Sequence, residues 1–172
     1  MIHNLPTQAG AEALAAAQTS AELDAVLRQI ASSFGALRRP GVVGEKLYME
    51  ELDRAVCDLP RRLGLSDVVH EAKSNDNVVV IGTEFYNVGG HTRIAADIMR
   101  LVGPERSTLI LTNIYNRAWH YSAGLKSHVS AVDLSCRSYL MLKSAGLLDR
   151  IVELYNMLKA IRPTRIFLLN HH

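Results

Sequence analysis

The stretch "VVVIGTEFYNVGGHTRIAADIMRLVG", residues 78–103, decides the fold. Its first residues are a continuous apolar run rich in β-branched side chains, the pattern of a strand buried on both faces. A polar loop, "TEFYNVGG", follows, and "HTRIAADIMRLVG" then reads as a helix stopped by Gly103 and Pro104. The inward stripe of that helix is expected at Ile94, Ile98, Leu101 and Val102. "STLILTN" (107–113) reads as a second buried strand. Strand, helix and strand joined by short connections make a β-α-β unit, with parallel strands and a right-handed crossover.

Working outward toward the carboxyl end, "HVSAVDL" predicts a third short strand around Val129 to Val132. Ser135 is then expected to cap a helix through "CRSYLMLKSAG". Leu147, Ile151, Leu154, Tyr155, Leu158 and Ile161 outline another helix, Pro163 punctuates, and "RIFLLN" reads as a further buried strand. That strand runs directly into "NHH", which reads either as a chain cut between domains or as the remnant of a tag.

Toward the amino end the pattern is helical. The alanine-rich start reads as helix. "TSAELDAVLRQIASSF" has Thr19 as N-cap and Glu22 three residues on, a capping-box spacing, with Leu23, Val26, Leu27, Ile30 and Phe34 on one face. "RRPGVVG" breaks this helix. A further helix is expected through "EKLYMEELDRAVCDL", with Leu47, Leu52, Val56 and Leu59 inward and Pro60 and Gly64 ending or kinking it. "KSNDN" is a turn signal. The fold class is therefore α/β: a Rossmann-like open, mostly parallel sheet with helices on both faces over residues 71–172, preceded by a helical segment over residues 1–70.

The bulk numbers exclude several classes. The 172 residues carry 48% hydrophobic and 21% charged side chains, ordinary for a globular protein. A formal net charge of +2, with Lys and Arg scattered in short pairs, leaves no nucleic-acid footprint. No apolar run reaches membrane-spanning length and no signal peptide opens the chain, so a cytoplasmic protein is expected. Cys57 and Cys136 lie far apart and read as buried thiols in a reducing compartment.

The chemistry gathers where the first strand ends. In an open parallel sheet, ligands bind beyond the carboxyl ends of the strands, where strand order reverses. Gly89 and Gly90 let a ligand approach the backbone closely, and the N–H groups of residues 91 to 93 are expected to face the crevice as anion donors. Arg93 stands near the positive end of the helix dipole, where a cation is disfavoured. A bound anion would compensate, and the guanidinium fork matches phosphate or carboxylate oxygens. Thr92 adds a hydroxyl, His91 an imidazole, and Glu84 and Tyr86 line the same loop. The plainer reading is a glycine turn with Arg93 extended into solvent. Asn170, His171 and His172 follow the last strand, which in the usual winding order lies beside the first; a histidine there would be a general base or ligand contact. His91, His171 and Glu84 have no metal-ligand spacing, so no metal is expected. Neither G-x-x-x-x-G-K-[ST] nor G-x-G-x-x-G occurs, which disfavours a P-loop nucleotidase and a nicotinamide or flavin cofactor.

"TEFYNVGGHTR", after a buried strand and opening a helix, resembles the first strand–loop–helix of bacterial glycosyltransferases built from two facing Rossmann-like domains, the GT-B architecture. "RIFLLNHH" is similar to a cleft-lining segment of such proteins, so the resemblance spans residues 77–172 and leaves the helical start unmatched. It implies transfer of a sugar from a nucleotide-sugar donor to an acceptor, on the acceptor side of the cleft and without a metal. By the same resemblance, Gly89, Gly90, His91, Thr92 and Arg93 would face the donor diphosphate or the acceptor, and His91 or His171 would be the acid–base group. The donor nucleotide would be held mainly by a second domain that these residues do not contain. Two other classes use the same cradle: a non-catalytic Rossmann-like module binding a phosphorylated metabolite, and a phosphosugar isomerase or epimerase.

Overall fold

The structure, a computed structural model, describes residues 7–37, 50–65, 76–85, 90–113 and 134–169. The chain divides into two compact units, Met1–Val68 with Gly146–Leu148, and Val69–Ala145 with Asp149–His172.

The first unit is helical: α1 (Thr7–Ala16), α2 (Ser20–Leu37), α3 (Glu50–Cys57) and the single turn α4 (Leu59–Arg62). The capping box forms as the spacing predicts. The Thr19 N–H donates to Glu22 at 2.9 Å, and the Glu22 N–H donates to the Thr19 hydroxyl at 3.2 Å. Those contacts hold the Glu22 carboxyl below its usual range, the backbone N–H groups of Gln18 and Thr19 first among the causes. Leu23, Leu27 and Ile30 are buried as expected. A Cβ on Gly10 would lie 3.2 Å from Ile30 and 3.9 Å from Leu52, so this glycine lets α1 approach α2 and α3 closely. The helix expected to reach Leu59 instead stops at Cys57 and restarts with Pro60 in the first turn of α4. Val56 and Cys57, expected inward, are both exposed, because α3 buries only the Leu52 side of its short barrel. The third strand expected around Val129 to Val132, the break at "RRPGVVG", and Leu47 fall outside the described residues.

The second unit is the α/β half. Four strands, β1 (Val78–Gly82), β2 (Ser107–Leu111), β3 (Ser138–Met141) and β4 (Arg165–Leu169), form an all-parallel sheet in the order β3-β2-β1-β4. Helix α5 (Gly90–Val102) carries the chain from β1 to β2, and α6 (Leu147–Ile161) carries it from β3 across the sheet to β4. Residues of β1 and β2 are buried throughout, and their alternation sends two side-chain sets to opposite faces. Val80, Leu109 and Leu111 pack with Ala95 and Met99 of α5, while Val79, Ile81 and Ile110 pack with Leu154, Met157, Leu158 and Ile161 of α6. Helices thus cover both faces, the doubly wound arrangement that the strand–helix alternation predicts.

Three readings are corrected here. "CRSYLMLKSAG" holds strand β3 rather than a helix; the half-buried run Ser138–Met141 pairs with β2, and the tertiary partner overrides its mixed propensity. Of the expected α5 stripe Ile98 packs against the core, but the fully buried residues are Thr92, Ala95 and Met99, while Ile94 and Leu101 are 48% and 86% exposed. Small Ala95 lets the helix sit close to the sheet, and that contact fixes the helix rotation in place of the larger aliphatic residues. β4 is a strand, yet Ile166, Phe167 and Leu168 are exposed, because among the described residues it lies at the edge and is paired to β1 alone.

Candidate functional site

The strand order reverses at β1. From β1 the chain steps to β2 and then β3 on one side; from β3 it crosses back to place β4 on the other side of β1. The carboxyl ends of β1 and β4 therefore flank the switch point where such sheets hold ligands. Register supports this directly, since Gly82 pairs with Leu169 on one side and Leu111 on the other.

The chain leaves β1 through Thr83, Glu84 and Phe85, all buried. Glu84, on a segment that reads from sequence as an exposed loop, is 4% exposed. Phe85 folds back over the last strand residue. A Cβ on Gly82 would stand 2.5 Å from the Phe85 ring, which explains a glycine at the end of this strand. The ring completes the core beneath α5 with Val80, Ala95, Met99, Leu109, Leu111 and Leu134. The loop start is thus a plug that fixes where the amino end of α5 emerges.

At that amino end, Gly90 is the first helical residue and is exposed, and a Cβ there would meet no described atom within 4 Å. Packing among the described residues does not require glycine at 90. His91 is half-buried, Thr92 is buried against the core, and Arg93 is exposed. Arg93 makes no ion pair or side-chain hydrogen bond among the described residues, whereas Arg100 on the same helix pairs with Asp97 at 2.8 Å. Gly90, His91, Thr92 and Arg93 form the first turn of α5, with Thr92 buried, and Glu84 is buried just after the end of β1. Gly89, Asn170, His171 and His172, together with Tyr86, lie outside the described residues.

A neighbouring corner, unread in the sequence, is built from α6. Arg150, 6% exposed, donates through Nε to the Ser144 carbonyl at 2.5 Å and through Nη1 to the carbonyls of Thr112, at 3.4 Å, and Asn113. Glu153 accepts from the backbone N–H groups of Lys143 and Ser144 at 3.0 Å each. Burial works against the Glu153 charge, but these N–H donors, the Ser144 hydroxyl and the Arg150 charge outweigh it and hold the carboxyl below its usual range. The two side chains clamp the end of β2 and the β3–α6 turn. The signal in sequence was an arginine in the first turn of a helix, the same oddity that drew attention to Arg93.

The end of β2 continues the ladder, with the Thr112 N–H donating to the Gly82 carbonyl at 2.9 Å. Asn113 follows in the left-handed region, φ 47°, where asparagine is among the better tolerated residues. Before β3, the Tyr139 hydroxyl donates to the Leu134 carbonyl at 2.7 Å and accepts from the Cys136 N–H at 3.3 Å. Burial pushes both the Tyr139 hydroxyl and the Cys136 thiol up, which lowers the thiolate share at Cys136.

Among the described residues, no three His, Cys, Asp or Glu side chains gather as metal ligands, and no helix is long and apolar enough to cross a membrane. The chain matches no family model, no curated protein and no solved structure.

Proposed function

We propose that the α/β unit binds the diphosphate of a nucleotide sugar at the amino end of α5 and serves as the acceptor-side domain of a sugar transferase. The observation that carries this reading is topological: strand order reverses beside β1, and the glycine-led start of α5 follows β1 at that reversal. The exposed Arg93 and a Gly90 whose Cβ position meets no described atom support it, because both suit a negatively charged group held against a helix amino terminus.

In the transfer, the bond from the anomeric carbon to the diphosphate oxygen breaks and a bond from that carbon to the acceptor oxygen forms. The acceptor proton passes to a base, for which His91 is the candidate among the described residues. The departing diphosphate gains negative charge, which the helix dipole and Arg93 stabilise without a metal. The nucleotide part of the donor is held mainly by a facing domain in this reading, and a cytoplasmic setting fits the supply of such donors.

The test is a thermal-shift panel of nucleotide sugars against the protein and its Arg93→Ala variant. Wild type is expected to gain several degrees with one or more of them. The variant is expected to keep the unliganded Tm, as an exposed substitution should within ~0.5 kcal/mol, and to lose most of the gain. An equal gain in the variant would remove Arg93 from the site.

A further inference from the structure

Two buried polar atoms at the end of β2 have no hydrogen-bond partner among the described residues: Thr112 Oγ1 and Asn113 Oδ1. Asn113 is only 3% exposed, and its main-chain oxygen and that of Thr112 are already taken by Arg150. Buried polar atoms are nearly always satisfied, so a pair of orphans on consecutive residues asks for a missing partner. Their place is informative. The Thr112 N–H bonds the Gly82 carbonyl at 2.9 Å, which sets both residues beside the end of β1, on the carboxyl edge where the ligand crevice lies.

We infer that Thr112 and Asn113 form a hydroxyl-recognition subsite, receiving the polyol portion of a ligand whose anionic group sits at the amino end of α5. This rests on the binding reading proposed above and adds to it the chemistry of a second ligand part. An amide oxygen accepts from a sugar hydroxyl, and a threonine hydroxyl either donates or accepts, so the pair suits a ring bearing adjacent hydroxyls. Arg150 is the positioning residue: by holding the carbonyls of 112 and 113 it fixes the left-handed backbone at Asn113 and hence the place of the amide. A site that hydrogen-bonds a hydroxyl discriminates strongly against ligands lacking it, because its own buried groups are then left unpaired.

The test uses Asn113→Gly, since glycine adopts φ 47° readily and removes the orphaned amide. Inorganic pyrophosphate is the anion-only probe; UDP-glucose and GDP-mannose carry anion and hydroxyls together. Wild type is expected to bind a nucleotide sugar more tightly than pyrophosphate. The variant is expected to hold or raise the unliganded Tm, keep its pyrophosphate affinity, and bind that nucleotide sugar about tenfold more weakly. A Tm several degrees lower would show that the amide serves the fold, which overturns the subsite. Equal nucleotide-sugar affinity in variant and wild type, or equal wild-type affinity for both probe types, would also overturn it while leaving the anion site intact. If neither probe type binds wild type, the binding reading and the subsite fail together.

Discussion

Arg93 and Arg150 hold the same place in two helices of one unit: each is the fourth residue of a helix that follows a parallel strand, α5 after β1 and α6 after β3. A cation there opposes the helix dipole in both cases. Arg150 resolves the conflict inside the protein, buried against backbone carbonyls of residues 112, 113 and 144. Arg93 is exposed and has no such partner among the described residues. One corner is therefore closed by its own charges, while at the other the guanidinium is exposed and unpaired among the described residues. Residue type and helix position alone do not decide what such a side chain does; the supply of carbonyls around Arg150 is what makes it a clamp.

The comparison breaks most readily at its closed half. Arg150→Met should cost about 3 kcal/mol in urea denaturation, because buried carbonyls lose a charged donor, and Arg150→Lys should recover only part of that. A cost near zero would mean that water satisfies those carbonyls and that the corner is not a clamp. The open half has its own structural anchor at Gly82. Gly82→Ala should destabilise by ~2 kcal/mol by pressing a methyl group into the Phe85 ring, and Phe85→Leu in that background should restore part of the loss. Additive losses in the double variant would separate the glycine from the ring.

Part of this was legible beforehand, for a physical reason. β1 and β2 are buried on both faces, so β1 is an unbroken apolar run and β2 is apolar from Leu109 to Leu111, and the α5 stop at Gly103, with φ 100°, is written in glycine and proline. The position of β4 beside β1 followed from winding rules. Its exposure did not, since burial belongs to neighbours and an edge strand has a neighbour on one side only. β3 was hidden because a four-residue half-buried run has no period long enough to tell strand from helix. At the candidate site, the misfit of Arg93 with the dipole was legible, and the structure places it exposed in the first turn of α5. Asn113 was not, because a polar residue after a strand looks like any loop until its burial is known.

The smallest expected effect concerns Glu153. Its folded carboxyl sits below the ordinary glutamate range, so its contribution to stability is present above the unfolded value and is lost as pH falls through the folded one. Glu153→Gln should flatten the acid limb of the stability–pH profile by under ~1 kcal/mol, read by thermal denaturation from pH 6 to pH 3. An unchanged acid slope would assign that limb to other carboxylates.

The central claim is that the amino end of α5 holds an anion, and backbone amide chemical shifts during titration with inorganic pyrophosphate test it most directly. Saturable shifts are expected at the amides of residues 90–93, weakening as salt is raised, with the Arg100 end of the same helix unmoved. Shifts absent from those amides, or spread evenly over the surface, would contradict it.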